Sequence, residues 1–543
     1  MDAYSVTCND SVEKRELSRI YRDYFAFQAR FPVSPPVSDK SSLTSTMSSP
    51  RSAQMSSRHI GIVGAGFSGL RCADILLSQG FQVTILEGRN RIGGRVCQMR
   101  LENGHDVDMG ANWVHGTQDN PILEIARMTG TPCSGWDTTQ LVCDQDGNPL
   151  SVADRTELAD MMWSIILDAF AYSNKSTATI DPDLSLYDWF KQKVPLRIPE
   201  SAGDWERKRL VVLQMAEMWG AFIGSPVKSQ SLKFFWLEEC IEGENLFCEG
   251  THRDILAAVA QNSLENAEIK YGTIVEKVKY RTSDEDDHQV LVKTRNGETF
   301  LFDDVVMTTP LGWLKQHKDA FEPALPTRLS TAIDAISYGC LEKVYFVFET
   351  AFWHNPSTDD STPFQGFCQW LSPTYAESTN PQRWAQEMIE LASLPAPNSA
   401  HNTLLFYTYG DQSRHLTAAL RSSKSRGPKG QRDMLTAFFA PYLERLPNYD
   451  ATSPACALVD CLPSDWLGDE LAGNGSYSNF QVGLVEGDKD IEAMRHGVPD
   501  GGLWLAGEHT APFVGLGTTT GAYWSGEAVG WRIAEKYGST GGL

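Results

Sequence analysis

The sequence predicts an α/β fold, with a parallel sheet carrying helices on its faces. Three adjacent segments predict it. Residues 58–63 (RHIGIV) form a short apolar run of strand length. Residues 67–79 (FSGLRCADILLSQ) place Phe67, Leu70, Ala73, Leu76 and Leu77 at helical spacing, with Gly80 where a helix ends. Residues 81–86 (FQVTIL) give a second strand. Strand, helix and strand in that order make a β-α-β unit, and such a crossover joins parallel strands.

The other elements follow along the chain. Residues 1–57 are expected to be a flexible leader, because 34–57 hold ten Ser with Pro35, Pro36 and Pro50 and little that could form a core. Residues 136–236 are mainly helical in pattern, with 153–173 and 206–222 long and amphipathic. Strand character returns at 269–280, 288–301 and 303–309, with 284–287 (DEDD) as a solvated turn. Residues 344–348 (VYFVF) are a buried strand. Residues 421–433, rich in Ser, Lys, Arg and Gly, are expected to be an exposed loop. The last segment holds a strand (LWLAG) and a closing helix.

Composition narrows the function. The chain has 543 residues, is 41% hydrophobic and carries 47 Lys plus Arg against 69 Asp plus Glu, a formal charge of −22. That supports large buried cores, and it repels phosphate backbones, so nucleic acid is not an expected partner. It favours cationic small molecules at any acidic cleft. No apolar run reaches the roughly 18–20 residues of a membrane span, so no membrane partner is expected. With no secretory signal, no peroxisomal ending, and eleven scattered Cys lacking a C-x-x-C pair, a cytoplasmic protein with reduced thiols is expected.

The first turn carries the chemistry. Gly64, Gly66 and Gly69 sit between the first strand and helix, where they permit a tight turn, close approach of a pyrophosphate and close helix packing. The helix N-terminus offers free N–H groups and a partial positive charge to phosphate. Glu87 ends the second strand, 18 residues after Gly69, where a carboxylate accepts hydrogen bonds from a ribose. Together these predict an ADP-containing cofactor. A second glycine pair flanked by arginines, Arg89 to Arg95 (RNRIGGR), gives another loop able to neutralise the same pyrophosphate.

The motifs GIVGAGFSGL, LEGRNRIGGRV and DMGANWVHG, followed late in the chain by GSYSN, LAGEHT and TTTGAYWSG, resemble the flavin-dependent amine oxidase superfamily, its polyamine oxidase branch above all. The resemblance implies a Rossmann-like FAD-binding domain interleaved with a substrate-binding domain of mixed sheet and helices. The expected division assigns 58–135, 237–325 and 457–537 to the former, and 136–236 and 326–456 to the latter. It implies FAD contacts at Gly64, Gly66, Gly69, Glu87, Arg89, Arg95 and Glu508, with Gly110, Ala111, Asn112 and Trp113 running along the flavin. Val275 matches the position whose backbone holds the adenine. Thr518 and Thr519 open the last helix, whose positive end would face the flavin pyrimidine. The stretch APFVGLGTT lacks the Cys of covalent flavoproteins of the monoamine branch, so the FAD is expected to be non-covalent.

For catalysis the resemblance singles out three residues. Lys343 matches the lysine that holds a water against the flavin and assists reoxidation by oxygen. Tyr477 matches one wall of an aromatic cage around the substrate nitrogen; the opposite position is Thr518, which leaves a roomier site suited to secondary amines. His115 matches a substrate-side histidine, able to bind or deprotonate an ammonium. Trp466 is a candidate lining residue. Glu238, Glu239, Glu242, Glu244 and Glu249 form either an amine-attracting rim or a solvated loop. No metal spacing is found. The expected reaction removes a hydride from a carbon next to nitrogen and passes the electrons to O2, giving H2O2. Polyamines or N-acetylpolyamines are the expected substrates. Oxidation of a specialised-metabolite amine or an amino acid, or a chromatin-type demethylase, are the alternatives.

Overall fold

In a computed structural model, residues 58–135, 140–282, 289–354, 365–423 and 427–538 are described, all within the unit Met55–Leu543. The expected leader, 1–57, and the expected DEDD turn lie outside the described residues. The first β-α-β unit forms as the pattern dictates: strand His59–Val63, helix Phe67–Ser78 and strand Gln82–Leu86, with the two strands parallel and Ile62 opposite Ile85. Three further strands complete a five-stranded parallel sheet. Its order is Leu503–Leu505, Asp304–Met307, His59–Val63, Gln82–Leu86, Glu268–Lys270. The strands read as apolar runs because both faces are covered.

On one face the closing helix, Thr519–Lys536, packs along helix Phe67–Ser78. Glycines make the close approach possible: a Cβ at Gly526 would collide with the carbonyl of Ser68, and one at Gly530 would meet Ile75 Cβ at 2.8 Å. Gly526→Val is therefore expected to lower stability by about 3 kcal/mol, the upper range for overpacking. Urea denaturation checks this; an unchanged midpoint contradicts the packing.

The segment 269–280 is not one strand. It divides between two sheets at a turn where Gly272 takes φ +65°, so that Glu268–Lys270 stays in the parallel sheet and Val275–Lys279 starts a four-stranded one. The next expected strand, 288–301, is in its described part an antiparallel hairpin, Val290–Thr294 with Thr299–Phe302, around the Asn296-Gly297 turn.

A six-stranded sheet forms the second layer. Its order is Leu458–Pro463, Leu341–Phe348, Thr403–Tyr409, Gln386–Glu390, Phe367–Trp370, Leu141–Cys143. Period-two alternation gives its longest strand two distinct faces. Val344, Phe346 and Phe348 enter one core, while Tyr345 and Val347 enter another, with Lys343 on their side. Beside it stand helices Val152–Ser176, Leu186–Arg197 and Trp205–Ala216. The middle helix lies within the stretch read as mainly helical; a Ser185–Asp188 capping box starts it and Pro195 sits in its last turn.

One expectation is overturned. Residues 421–423 end helix Gly410–Ser423 and 427–433 begin helix Gly427–Leu443, where a loop was expected over 421–433. Pro428 sits in the first turn, where its missing N–H costs nothing, and the buried Leu435, Phe438, Phe439 and Tyr442 supply the apolar face that the polar start conceals.

Candidate active site

The site is built first from two glycine loops that touch. Gly64 takes φ +107°, and a Cβ there would meet Thr308 Oγ1 at 2.6 Å. A Cβ on Gly69 would collide with the Gly64 carbonyl, so helix and strand approach as closely as a backbone allows. At Gly66, the residue preceding the helix, a Cβ would meet nothing within 4 Å, and no side chain caps the helix. Ser68 Oγ, in the first helical turn, is buried without a partner. An open cradle, uncapped N–H groups and an orphan hydroxyl fit a phosphate group. The second loop closes the cradle: Gly93 N–H donates to the Ala65 carbonyl at 2.8 Å.

Glu87 joins both loops. One carboxylate oxygen accepts from Ala65 N–H and the other from Arg89 N–H, both at 2.8 Å, and each keeps lone-pair capacity for a further donor. The Glu87 carbonyl accepts from Thr273 N–H, which draws Val275, two residues on, to this end of the sheet. The Arg89 guanidinium is held by Asp469 at 2.8 Å.

Arg95 runs inward instead. Its Nη1 donates to the Ser476 carbonyl at 2.7 Å, to Glu508 Oε1 at 3.0 Å and to Tyr338 Oη at 3.1 Å. Burial alone would raise the Glu508 carboxyl, but Arg95 and the Ser478 hydroxyl hold it below its ordinary range. One ion pair thus ties three distant segments together. Gly110 packs under the Arg95 carbonyl, where a Cβ would collide, and Trp466 Nε1 donates to the Met109 carbonyl at 3.0 Å.

Lys343 is not a surface lysine: it is 4% exposed, and its Nζ donates to the carbonyls of Asp108, at 3.0 Å, and Gly110. Burial pushes its ammonium down to about 7, and Asp108 offsets this only in part. Asn112 Nδ2 and Trp113 Nε1 both donate to Tyr407 Oη, at 3.0 and 3.1 Å, which fixes the loop over the strand next to Lys343; Ala111 lies between Gly110 and Asn112 in that loop.

Tyr477 keeps a partly accessible ring and donates its hydroxyl to the Phe222 carbonyl at 2.7 Å. Burial first, and then Glu238, push its phenol above the ordinary range. The ring lies against Gly517, where a Cβ would stand 3.6 Å from it, one residue before Thr518. Thr518 caps the closing helix, its Oγ1 accepting from Gly521 N–H at 2.9 Å, and Thr519 begins it. His115 shares a hydrogen bond with Asn245 at 3.2 Å, and burial lowers its pKa, so the ring is neutral at neutral pH.

The five glutamates separate. Glu242 and Glu244 are exposed, and Glu249 accepts from Ala396 N–H at 2.9 Å. Glu238 and Glu239 are withdrawn from solvent, and burial raises them to about 8 and about 7. Burial thus divides the segment into withdrawn and solvent-facing carboxyl groups.

Two features escaped the sequence reading. Tyr407 is the anchor for Asn112 and Trp113; the alternating tyrosines in TLLFYTY were its one signal. Asp108, Cys248 and His252 converge in the interior, although no sequence spacing joins them. Asp108 accepts both the His252 N–H, at 3.0 Å, and its Nδ1, at 2.9 Å, and so anchors the start of helix Arg253–Asn266.

Comparison with known proteins decides the family. The family described as flavin containing amine oxidoreductase matches residues 67–534. The chain belongs to this family. Arabidopsis thaliana Polyamine oxidase 2 is 28% identical over 88% of this chain and 89% of its own length. Protein FLOWERING LOCUS D and Lysine-specific histone demethylase 1 homolog 1, from the same plant, are 28% and 26% identical over 84% and 83% of this chain; the chain spans 53% and 49% of their lengths. A solved structure of a putrescine oxidase redesigned in its cofactor binding shares the fold, with a TM-score of 0.63, 17% identity, and 88% of this chain and 99% of that chain covered. Like the rest of the family, this flavin amine oxidase is an enzyme with a flavin cofactor and an amine substrate. Among the described residues, no helix is long and apolar enough to cross a membrane.

Proposed function

We propose that this amine oxidase binds FAD without a covalent bond and oxidises a polyamine or N-acetylpolyamine, with O2 as electron acceptor and H2O2 as product. The glycine loops and Glu87 would hold the ADP portion of the cofactor, the Arg95–Glu508 pair would brace the loops that contact it, and residues Gly110 to Trp113 would contribute to the flavin site. The FAD-binding domain comprises 58–135, 237–325 and 457–537, and the substrate-binding domain comprises 136–236 and 326–456. When bound, the flavin supplies a two-electron acceptor for the carbon next to the amine nitrogen.

The observation that supports this reading most is Lys343: a buried amine held by two loop carbonyls, with its proton made labile near neutrality. It donates or withholds a proton at Nζ without a carboxylate partner to fix its charge. Tyr477 offers an aromatic face to the substrate nitrogen and excludes water from it. Neutral His115 accepts a hydrogen bond from the entering amine, which must arrive at the flavin without its extra proton, since only the free amine can push electrons into the forming imine. The imine, once released, is hydrolysed to an aldehyde and an amine.

The 28% identity with a polyamine oxidase over nearly the whole of both chains also favours this reading. Protein FLOWERING LOCUS D and Lysine-specific histone demethylase 1 homolog 1 are matched over only about half their length, and a formal charge of −22 opposes contact with the DNA of chromatin.

Tyr477→Ala is expected to lower kcat/KM for amines about 10-fold or more, while flavin content stays at the wild-type level. Equal losses of both would make Tyr477 structural. A peroxide-release screen across spermine, N-acetylspermine, monoamines and amino acids tests the substrate class. Turnover confined to a monoamine or an amino acid would refute it.

A further inference from the structure

Four polar side chains stand in one cross-strand row of the six-stranded sheet. Lys343 is the register partner of Tyr407, Tyr407 of Glu387, and Glu387 of Gln369. Side chains directly opposite across neighbouring strands project to one face, so all four share the face of Lys343. The contacts agree: Lys343 Nζ lies 5.9 Å from the Tyr407 ring centroid, and Gln369 Nε2 donates to Glu387 Oε2 at 3.1 Å. Two strand spacings, about 10 Å, separate the backbone of Glu387 from that of Lys343.

Glu387 is out of place for a structural residue. It is 5% exposed, and one side-chain amide is its hydrogen-bond donor in the row. Among the described residues, no Lys, Arg or His forms an ion pair with it, and the row's own cation, Lys343, is turned onto the carbonyls of Asp108 and Gly110. Burial raises its carboxyl to about 7, with Gln369 opposing the rise. A buried carboxylate with so little compensation is costly, and an apolar residue would pack there at no such cost. Two other buried carboxylates carry cations, Arg95 for Glu508 and Arg281 with Lys536 for Asp304, while Glu342, which has no ion-pair partner among the described residues, accepts from the Ser464 hydroxyl and the Leu467 N–H. Phe367, on the strand of Gln369, stacks on Trp113 at 6.0 Å, and Tyr409, two residues beyond Tyr407, lies within the electrostatic reach of Glu387.

We propose that Glu387 is a specificity-determining residue that receives a second, non-reacting ammonium of the substrate. That ammonium lies about two strands from the Lys343 end, so the favoured substrates are diamines and longer polyamines with a cationic nitrogen several methylenes from the bond oxidised. The inference rests on the amine-oxidase reading of the site and deepens it: it names the carboxylate that distinguishes a polyamine from a monoamine.

The test compares the flavin-loaded wild type with Glu387→Gln on α,ω-diamines and on n-alkyl monoamines of equal length. Removing the carboxylate is expected to lower kcat/KM for the diamines at least about 10-fold, chiefly through KM, and to change the monoamines less than about 3-fold. Glu387→Asp is expected to recover part of the diamine preference. Equal effects on both amine classes would overturn the proposal, as would a wild type that prefers the monoamine, whether or not the variant folds. Binding is read separately, as the change in flavin absorbance on adding diamine without oxygen. If no amine is turned over, the proposed function fails, yet a diamine response present in the wild type and absent in Glu387→Gln still supports the subsite. An equal response in both overturns it.

Discussion

Lys343→Met is expected to leave the flavin bound and to slow oxidative turnover about 10²–10³-fold, the range of a positioned proton-transfer group. Methionine keeps the length and apolar stem of the side chain, so the strand register with Tyr407 survives, while the donor to the Asp108 and Gly110 carbonyls is lost. Flavin content and oxygen consumption, measured on the same preparation, separate the two effects; wild-type turnover in the variant would remove Lys343 from the chemistry. The pH dependence gives an independent reading. Burial lowers the folded-state pKa from 10.5 to about 7, so the amine becomes neutral as the pH rises through about 7. A limb in kcat near that pH is expected in the wild type and should vanish in the variant. Stability carries the same sign. Between about 7 and 10.5 the unfolded chain binds the proton that the folded protein has released, so stability rises with pH across that window. The destabilisation by the buried ammonium is complete below about pH 7, and Lys343→Met should therefore gain most over the wild type there.

Glu508→Leu carries the largest expected stability effect, a loss of about 3–5 kcal/mol, because it leaves the inward-running Arg95 without its carboxylate. Three segments meet at this pair: the second glycine loop through Arg95, the GSYSN segment through Ser476 and Ser478, and the AGEHT segment through Glu508. The variant should lose flavin as well as stability, since the loops can no longer hold their mutual positions. Urea unfolding with flavin release followed in parallel measures both. The double variant Arg95→Met with Glu508→Leu should be more stable than Glu508→Leu alone, because it removes the unpaired cation. A double variant no more stable than the single one would mean that the pair is not the tie described.

Local patterns made the flavin half of the molecule legible in the sequence. Glycine spacing, a helical apolar stripe and a terminal carboxylate are all short-range signals, and the residues they marked, Gly64, Gly66, Gly69 and Glu87, meet at one cradle. The substrate half was legible only in part, because its chemistry is assembled across strands. Nothing in the spacing of Lys343, Glu387 and Tyr407 announces one row; antiparallel and crossed pairing creates it. The glutamate-rich segment was ambiguous for the same reason: burial divides Glu238 and Glu239 from their exposed neighbours, and composition carries no burial. The polar stretch at 421–433 misled because its helix starts with Gly427 and Pro428 and turns its apolar face inward only from Leu435 onward.

The proposed oxidation requires an amine-binding pocket beside a bound flavin, with polyamines as its occupants. Anaerobic mixing of the purified, flavin-loaded protein with spermine or N-acetylspermine tests this most directly, with flavin absorbance as the readout. Rapid bleaching by the polyamine is expected, with recovery of colour on admitting oxygen and stoichiometric peroxide. A flavin that stays oxidised with every polyamine but bleaches with a monoamine or an amino acid would contradict it.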